Sequence, residues 1–366
     1  MTDDTVTKSK RNEIRGDLLY LTDETWLTRL ARFKVFGKSP LSAYMRLNQK
    51  LWRRLPEPVI ALYPVRRYGD ILNALARMQF RGQLLHTFFL RNPPMLELIR
   101  RLVRRSDRTG TLRVAVLACS TGPEAYSVAW TIRSARPDLR LILHAVDISE
   151  QALKIAESGE YSLAGSQFAG SNMFDRMTQA EMEQLFDRNG NIVSIKSWIR
   201  EGMKWHVGDV RQPQILSTLG PQDIVVANNF LCHMYPSGAE QCLRNIARLV
   251  IPRGYLFVSG VDLKIRTKVA RDLGWHPVQE LLEEIHGGDP RMGSSWPFNY
   301  SSLEPLNKRR RDWRLRYATA FRLDSSAKVN PNFESSSAIE NGATEKVAAE
   351  ASSENASARA SGAENL

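Results

Sequence analysis

From Leu112 onward the chain alternates short apolar runs with helix-like segments, and few architectures accept that rhythm. Leu112 to Ala118 is one such run; it ends at Ser120-Thr121-Gly122 and gives way to a helical pattern from Glu124 to Arg136. Leu139 to Asp147 reads as a second strand, and Ser149 as the N-cap of a helix reaching Glu157. Asp223 to Asn228 is a further strand, Gln241 to Val250 a helix, and Gly254 to Gly260 a strand after a Pro252-Arg253-Gly254 turn. Strands separated by helices pair in parallel and are covered on both faces. The expected fold class is α/β, a doubly wound sheet.

Around this core the texture changes. Leu18 to about Leu102 is helical in pattern, with Trp26, Leu27, Leu30 and Phe33, then Ile71, Leu72, Leu75 and Met78, at three- and four-residue steps. Pro56, Pro58 and Pro64 mark turns within it. The stretch after Leu323 is rich in Ser, Ala, Glu and Asn and cannot bury enough surface to offset the entropy of ordering. The expected organisation is a disordered N-terminus over 1–15, a helical domain over 16–105, an α/β domain over 106–323 and a disordered tail over 324–366.

Charge is distributed unevenly between these parts. The formal charge of the 366 residues is +12; the tail has seven acids against three bases, so the body carries +16. A basic body can mark a nucleic-acid binder. Here Arg100-Arg101 and Arg104-Arg105 alternate with Leu98, Ile99, Leu102 and Val103 as the solvated side of an amphipathic helix, which argues against that reading. Three cysteines make neither a disulfide framework nor a metal site, and no apolar run is long enough to span a membrane. The polar start Met1–Thr5 does not read as a secretory leader, so a cytoplasmic chain is expected. Composition leaves the oligomeric state open.

Ligands of open α/β sheets sit at the carboxyl ends of the strands, where the strand order reverses. Ala118-Cys119-Ser120-Thr121-Gly122-Pro123-Glu124 is a small-residue turn entering a helix; its small side chains admit close backbone approach, and the helix start offers free amides. Asp147, about 25 residues past Gly122, ends the next strand where a carboxylate can accept bonds from both ribose hydroxyls. Taken singly, the first reads equally as a plain turn and the second as a helix cap.

Together, Ala118–Ser127, Val146-Asp147-Ile148-Ser149 and Ala156–Ser162 resemble the core of the CheR-type S-adenosylmethionine-dependent methyltransferases, best known for methylating glutamates of chemotaxis receptors. Thr87-Phe88-Phe89-Leu90-Arg91 is similar to the segment preceding that family's cofactor domain, and Asp223–Asn229 to its fourth strand. The likeness covers roughly 80–323. It implies a class I methyltransferase (Rossmann-like) sheet with its last strand antiparallel, an N-terminal helical domain, a small β insertion at about 185–204, and S-adenosyl-L-methionine as cofactor. Carried over, it places Thr87 and Arg91 at the cofactor's methionine end, Ser120 and Gly122 in the cofactor turn, and Glu124 near the amino group. It further places Asp147 on the ribose, Asp209 and Val210 beside the adenine, and Asn228 and Asn229 near the sulfonium.

Three positions depart from the family pattern. Pro123 replaces an acid, Asn228 an arginine, and His233 a tyrosine. Losing the arginine removes a cation that could neutralise a substrate carboxylate, although Arg91 remains and would orient the acceptor. His233, with a pKa near neutrality, reads as a general base or as a residue that packs at a strand end. A glutamate carboxylate needs no base; a hydroxyl, phenol or amine does. The expected function is therefore methyl transfer to an oxygen or nitrogen acceptor, small molecule or protein, other than a receptor glutamate. The alternatives are receptor-glutamate methylation and a catalytically silent cofactor-binding module. Trp296, Phe298 and Tyr300 stand as cover for the acceptor pocket or as core.

Overall fold

The computed structural model describes residues 40–77, 87–164, 172–289, 296–299 and 303–324. The expected disordered N-terminus, the Trp26–Phe33 periodicity, Met78, Tyr300 and nearly all of the acidic tail lie outside the described residues.

The helical stretch is broken where prolines make a helix start favourable. Pro56 precedes the helix Glu57–Ile60, Pro58 lies in its first turn, and Pro64 opens the helix Tyr63–Arg77, at positions whose amide has no intrahelical partner. The helix Pro40–Trp52 packs on the latter through Met45, Trp52, Leu72 and Ala76. In the helix Pro93–Arg105, Asn92 caps the start by accepting from the Met95 amide, and Leu96, Leu98, Ile99 and Val103 are buried. Its arginines form ion pairs: Glu97 with Arg100 and Arg101, Glu280 with Arg101 and Arg105.

The main sheet is built from β1 (Thr111–Leu117), β2 (Arg140–Asp147), β6 (Met203–Val207), β7 (Gln222–Asn228), β8 (Val250–Ser259), β9 (His276–Pro277) and β10 (Ala320–Leu323). Its order is β6-β2-β1-β7-β8-β10-β9. All neighbours run parallel except β10, which is antiparallel to both β8 and β9. This is the mixed class I methyltransferase order implied by the resemblance. Along β1, Val114 and Val116 join one core while Ala115 and Leu117 join the other, so the sheet separates two apolar layers. Every residue of β7, the strand in the middle of the order, is buried.

Two boundaries differ from the sequence reading. The helix expected over Gln241–Val250 runs Pro236–Ala247, and the Pro252-Arg253-Gly254 turn lies inside β8. There Arg253 takes φ 65°, and the pairing slips from Gln222↔Val250 to Ile224↔Tyr255, a bulge that absorbs the turn without ending the strand. A second, three-stranded antiparallel sheet is ordered β3-β5-β4, from β3 (Glu160–Ser162), β4 (Phe186–Asn189) and β5 (Ile192–Ile195). It takes one strand from before the expected insertion at about 185–204, because Glu160–Ser162 pairs with the hairpin from its other side.

Candidate active site

The strand order reverses at β1, which has β2 on one side and β7 on the other, and Ser120, Gly122 and Glu124 follow β1 while Asn228 ends β7. After β1 the backbone turns sharply: Ala118, Ser120 and Gly122 all take positive φ, 55°, 53° and 98°. Gly122 then caps the helix Pro123–Ala135. A Cβ there would meet Ala156 Cβ at 3.0 Å and Tyr161 Oη at 3.1 Å. Tyr161 donates to the Thr121 carbonyl (2.8 Å) and Tyr126 to the Ala156 carbonyl (2.6 Å), so both tyrosines hold this turn.

Asp147 ends β2 and is 5% exposed. One carboxylate oxygen accepts from the Ser120 amide at 2.7 Å and the other from the Ser149 amide at 2.9 Å, which ties the turn after β1 to the end of β2. Burial nevertheless pushes its pKa up. Ser149 caps the following helix as expected.

Glu124, in the first helical turn, is buried and accepts from the Asn228 side-chain amide at 2.8 Å. Asn228 closes β7, 3% exposed, and its Oδ1 is buried with no hydrogen-bond partner among the described residues. Next to it Asn229 takes φ 67° and its Oδ1 accepts from Ser259 at 3.4 Å. Across from them, Leu90 is also left-handed, φ 49°, its amide donating to Ser127 Oγ, and the Arg91 guanidinium lies 5.6 Å from the Phe88 ring. The arrangement fits S-adenosylmethionine: a buried carboxylate and an open amide oxygen suit an ammonium group, and a strand-end carboxylate suits hydroxyls.

Four of the candidate residues, Arg91, Glu124, Asn228 and Asn229, border a cleft. Asn92, Met95, Ser259, Arg266, Ile285, His286, Asp289, Leu303 and Thr319 complete its lining. Thr87, Ser120, Gly122, Asp147, Asp209 and Val210 lie outside that lining. Of these, Asp209 is held by Arg211, which donates Nε at 2.8 Å and Nη2 at 2.5 Å; burial alone would raise its pKa, but Arg211 holds it low. Val210 is buried in the core.

His233 sits half-buried on a single 3₁₀ turn, Leu231–His233, and is not among the cleft-lining residues. Trp296 and Phe298 do not line the cleft either; they pack on Trp52 at 5.5 Å and 6.1 Å between ring centres, so they serve as core for the helical region. Cys119, Cys232 and Cys242 are buried and form no disulfide, and burial pushes the Cys119 thiol well above its usual range, a packing role. Among the described residues no three potential metal ligands cluster. Sequence reasoning missed Arg266, His286, Asp289 and Thr319. The His286-Gly287-Gly288-Asp289 stretch was the available signal, but nothing local aims it at β1.

Residues 86–268, half of the chain, match the sequence profile of the CheR methyltransferase, SAM binding domain. The chain is 27% identical over 210 residues to the Pseudomonas putida protein named "Probable biofilm formation methyltransferase WspC", covering 56% of this chain and 47% of that protein. It is 25% identical over 156 residues to the Listeria monocytogenes "Chemotaxis protein methyltransferase", covering 43% and 55% respectively. The matches thus span about half the length of these relatives. Among solved structures, an O-methyltransferase family protein from Burkholderia thailandensis overlaps 73% of this chain and 62% of its own, at 14% identity and TM-score 0.30; the strand order, not this overlap, carries the fold. The profile match over half of the chain, together with the strand order, establishes that the chain belongs to the CheR family of S-adenosylmethionine-dependent methyltransferases.

Proposed function

We propose that the protein transfers the methyl group of S-adenosylmethionine to a hydroxyl or amine acceptor bound in the cleft, rather than to a receptor glutamate. One observation carries this reading: at the end of β7 the position of the family's arginine is held by Asn228, whose amide is committed to Glu124 at 2.8 Å. The pair neutralises no substrate carboxylate. When bound, S-adenosylmethionine supplies an electrophilic methyl group on a sulfonium, so the protein's contribution is chiefly proximity and orientation. In this reading Asp147 holds the ribose, Ser120 and Gly122 present backbone to the cofactor, and Asp209 and Val210 flank the adenine. Glu124 and the open Asn228 Oδ1 take the methionine ammonium with Thr87 nearby, Asn229 shapes the floor, and Arg91 orients the acceptor. In the same reading the cofactor domain spans 106–323 and a helical domain over 16–105 precedes it, of which residues 40–77 and 87–105 are described.

A second reading, methylation of a protein glutamate, is favoured by the two guanidinium groups, Arg91 and Arg266, that line the cleft, and by the likeness to a chemotaxis protein methyltransferase. Product chemistry separates the two. The full chain is incubated with methyl-labelled S-adenosylmethionine and cell extract, and the product is treated with mild base. A methyl ether or amine retains the label; a glutamyl methyl ester releases it as methanol, which would overturn the first reading. Micromolar S-adenosylhomocysteine binding in calorimetry without labelled product would instead indicate the silent cofactor-binding module.

A further inference from the structure

The family profile ends at residue 268, yet Ile285, His286, Asp289, Leu303 and Thr319 all line the cleft. Part of the lining therefore comes from chain outside the matched domain, and it adds an imidazole to the cleft that Arg91 and Asn228 also line. His286 lies on the helix Leu282–Gly288 and is 3% exposed. Its Nε2 is 2.9 Å from the Glu304 carbonyl oxygen. A carbonyl only accepts, so Nε2 carries a proton, and in the neutral ring Nδ1 carries a lone pair. Nδ1 takes no hydrogen-bond partner among the described residues, while the ring is braced edge-on by Tyr317 at 5.0 Å between centres.

We propose that His286 is the general base of this enzyme, accepting at Nδ1 the proton of a hydroxyl or amine acceptor as it is methylated. This rests on the acceptor reading above and assigns to His286 the role that the sequence offered to His233. The step balances: the acceptor's lone pair forms the new bond to the methyl carbon, the carbon–sulfur bond breaks with its electrons passing to sulfur, and the acceptor's proton passes to Nδ1. The positive charge that leaves the sulfonium thus reappears on the imidazolium, from which solvent removes the proton. Charged groups around the ring suit both states. Burial, with Arg266 nearby, lowers the pKa and keeps the ring neutral beforehand; Asp289 and Glu304 favour the cation once it forms.

Two measurements on the full chain test this. Nitrogen NMR of labelled histidines, with His286→Gln to assign the signal, should find at about pH 7.5 a neutral ring protonated at Nε2 and bare at Nδ1. An imidazolium, or a proton on Nδ1, at that pH overturns the proposal. Methyl transfer to tyramine, a probe with both a phenol and an amine, should give base-stable product that falls about 10²-fold or more in His286→Gln. S-adenosylhomocysteine affinity should stay unchanged in that variant, which shows that it folds. Equal rates in the two proteins overturn the role of His286. A base-labile ester as the sole product, or no S-adenosylhomocysteine binding by the unaltered protein, would instead mark failure of the reading beneath it.

Discussion

Asp147 shows how one side chain couples two elements: its carboxylate takes the Ser120 and Ser149 amides, and in the proposed reading it also holds the ribose. Asp147→Ala should weaken S-adenosylhomocysteine binding by about 1–3 kcal/mol, the range for losing a charged hydrogen-bond partner; calorimetry reads this directly, and unchanged affinity would remove Asp147 from the site. A second residue-scale effect lies on the neighbouring strands. His144 Nδ1 and His206 Nε2 are 2.9 Å apart with stacked rings. Burial, then His206 and Lys204, push the His144 pKa down from 6.5 to about 4, and burial lowers His206 as well. A depressed pKa means the unfolded chain takes up protons that the folded one refuses. The associated stability is complete above about 6.5 and is lost as pH falls toward 4. Urea midpoints followed from about pH 7 down to about pH 4.5 should fall, and His144→Phe should make the decline shallower.

At the scale of elements, the turn after β1 depends on a residue without a side chain. Gly122 combines φ 98° with contacts to Ala156 and Tyr161 that a Cβ would bring to 3.0 and 3.1 Å. Gly122→Ala should cost about 1–3 kcal/mol of stability from backbone strain and crowding. Because the same turn presents Ser120 to Asp147, cofactor affinity should fall with it; thermal melts and calorimetry on one sample check both. This turn was legible in the sequence because its determinants are contiguous: an apolar run, small residues, then a helix start. The strand boundaries were less so. Pro252-Arg253-Gly254 reads as a stop, and only pairing with β7 shows that it is a bulge within β8. The helix Pro93–Arg105 was legible in both faces, since burial at three- and four-residue steps is a local property, but that Glu280 neutralises Arg101 and Arg105 was not.

At the scale of the molecule, Trp296 joins segments more than two hundred residues apart. It packs on Trp52 and over Gly69, where a Cβ would stand 2.5 Å from the indole, while Asn73 donates to the Pro297 and Asn299 carbonyls. Nearby, Arg66 donates to the Pro305 carbonyl, and Glu304 binds Arg316 at 2.5 Å. Burial raises the Glu304 pKa, but Arg316, Tyr317 and Arg66 outweigh it and hold the carboxyl low. Trp296→Ala should remove about 3–5 kcal/mol of packing. Limited proteolysis should then cut within residues 40–77 while S-adenosylhomocysteine binding, carried by the matched domain, survives; loss of both together would mean that the two regions unfold as one. The sequence alone determined the alternation of strands and helices, which is written in contiguous periodicity and turn chemistry, and its motifs around Ser120 and Asp147 carried the resemblance to the family that the profile match shows. Only the tertiary structure decided that His233 stays off the cleft lining, that Trp296 serves the helical core, and that Arg266, His286 and Asp289 share the cleft lining with Arg91. Those outcomes depend on residues far apart in sequence meeting in the fold, as β10 does between β8 and β9, and no short stretch of sequence encodes that.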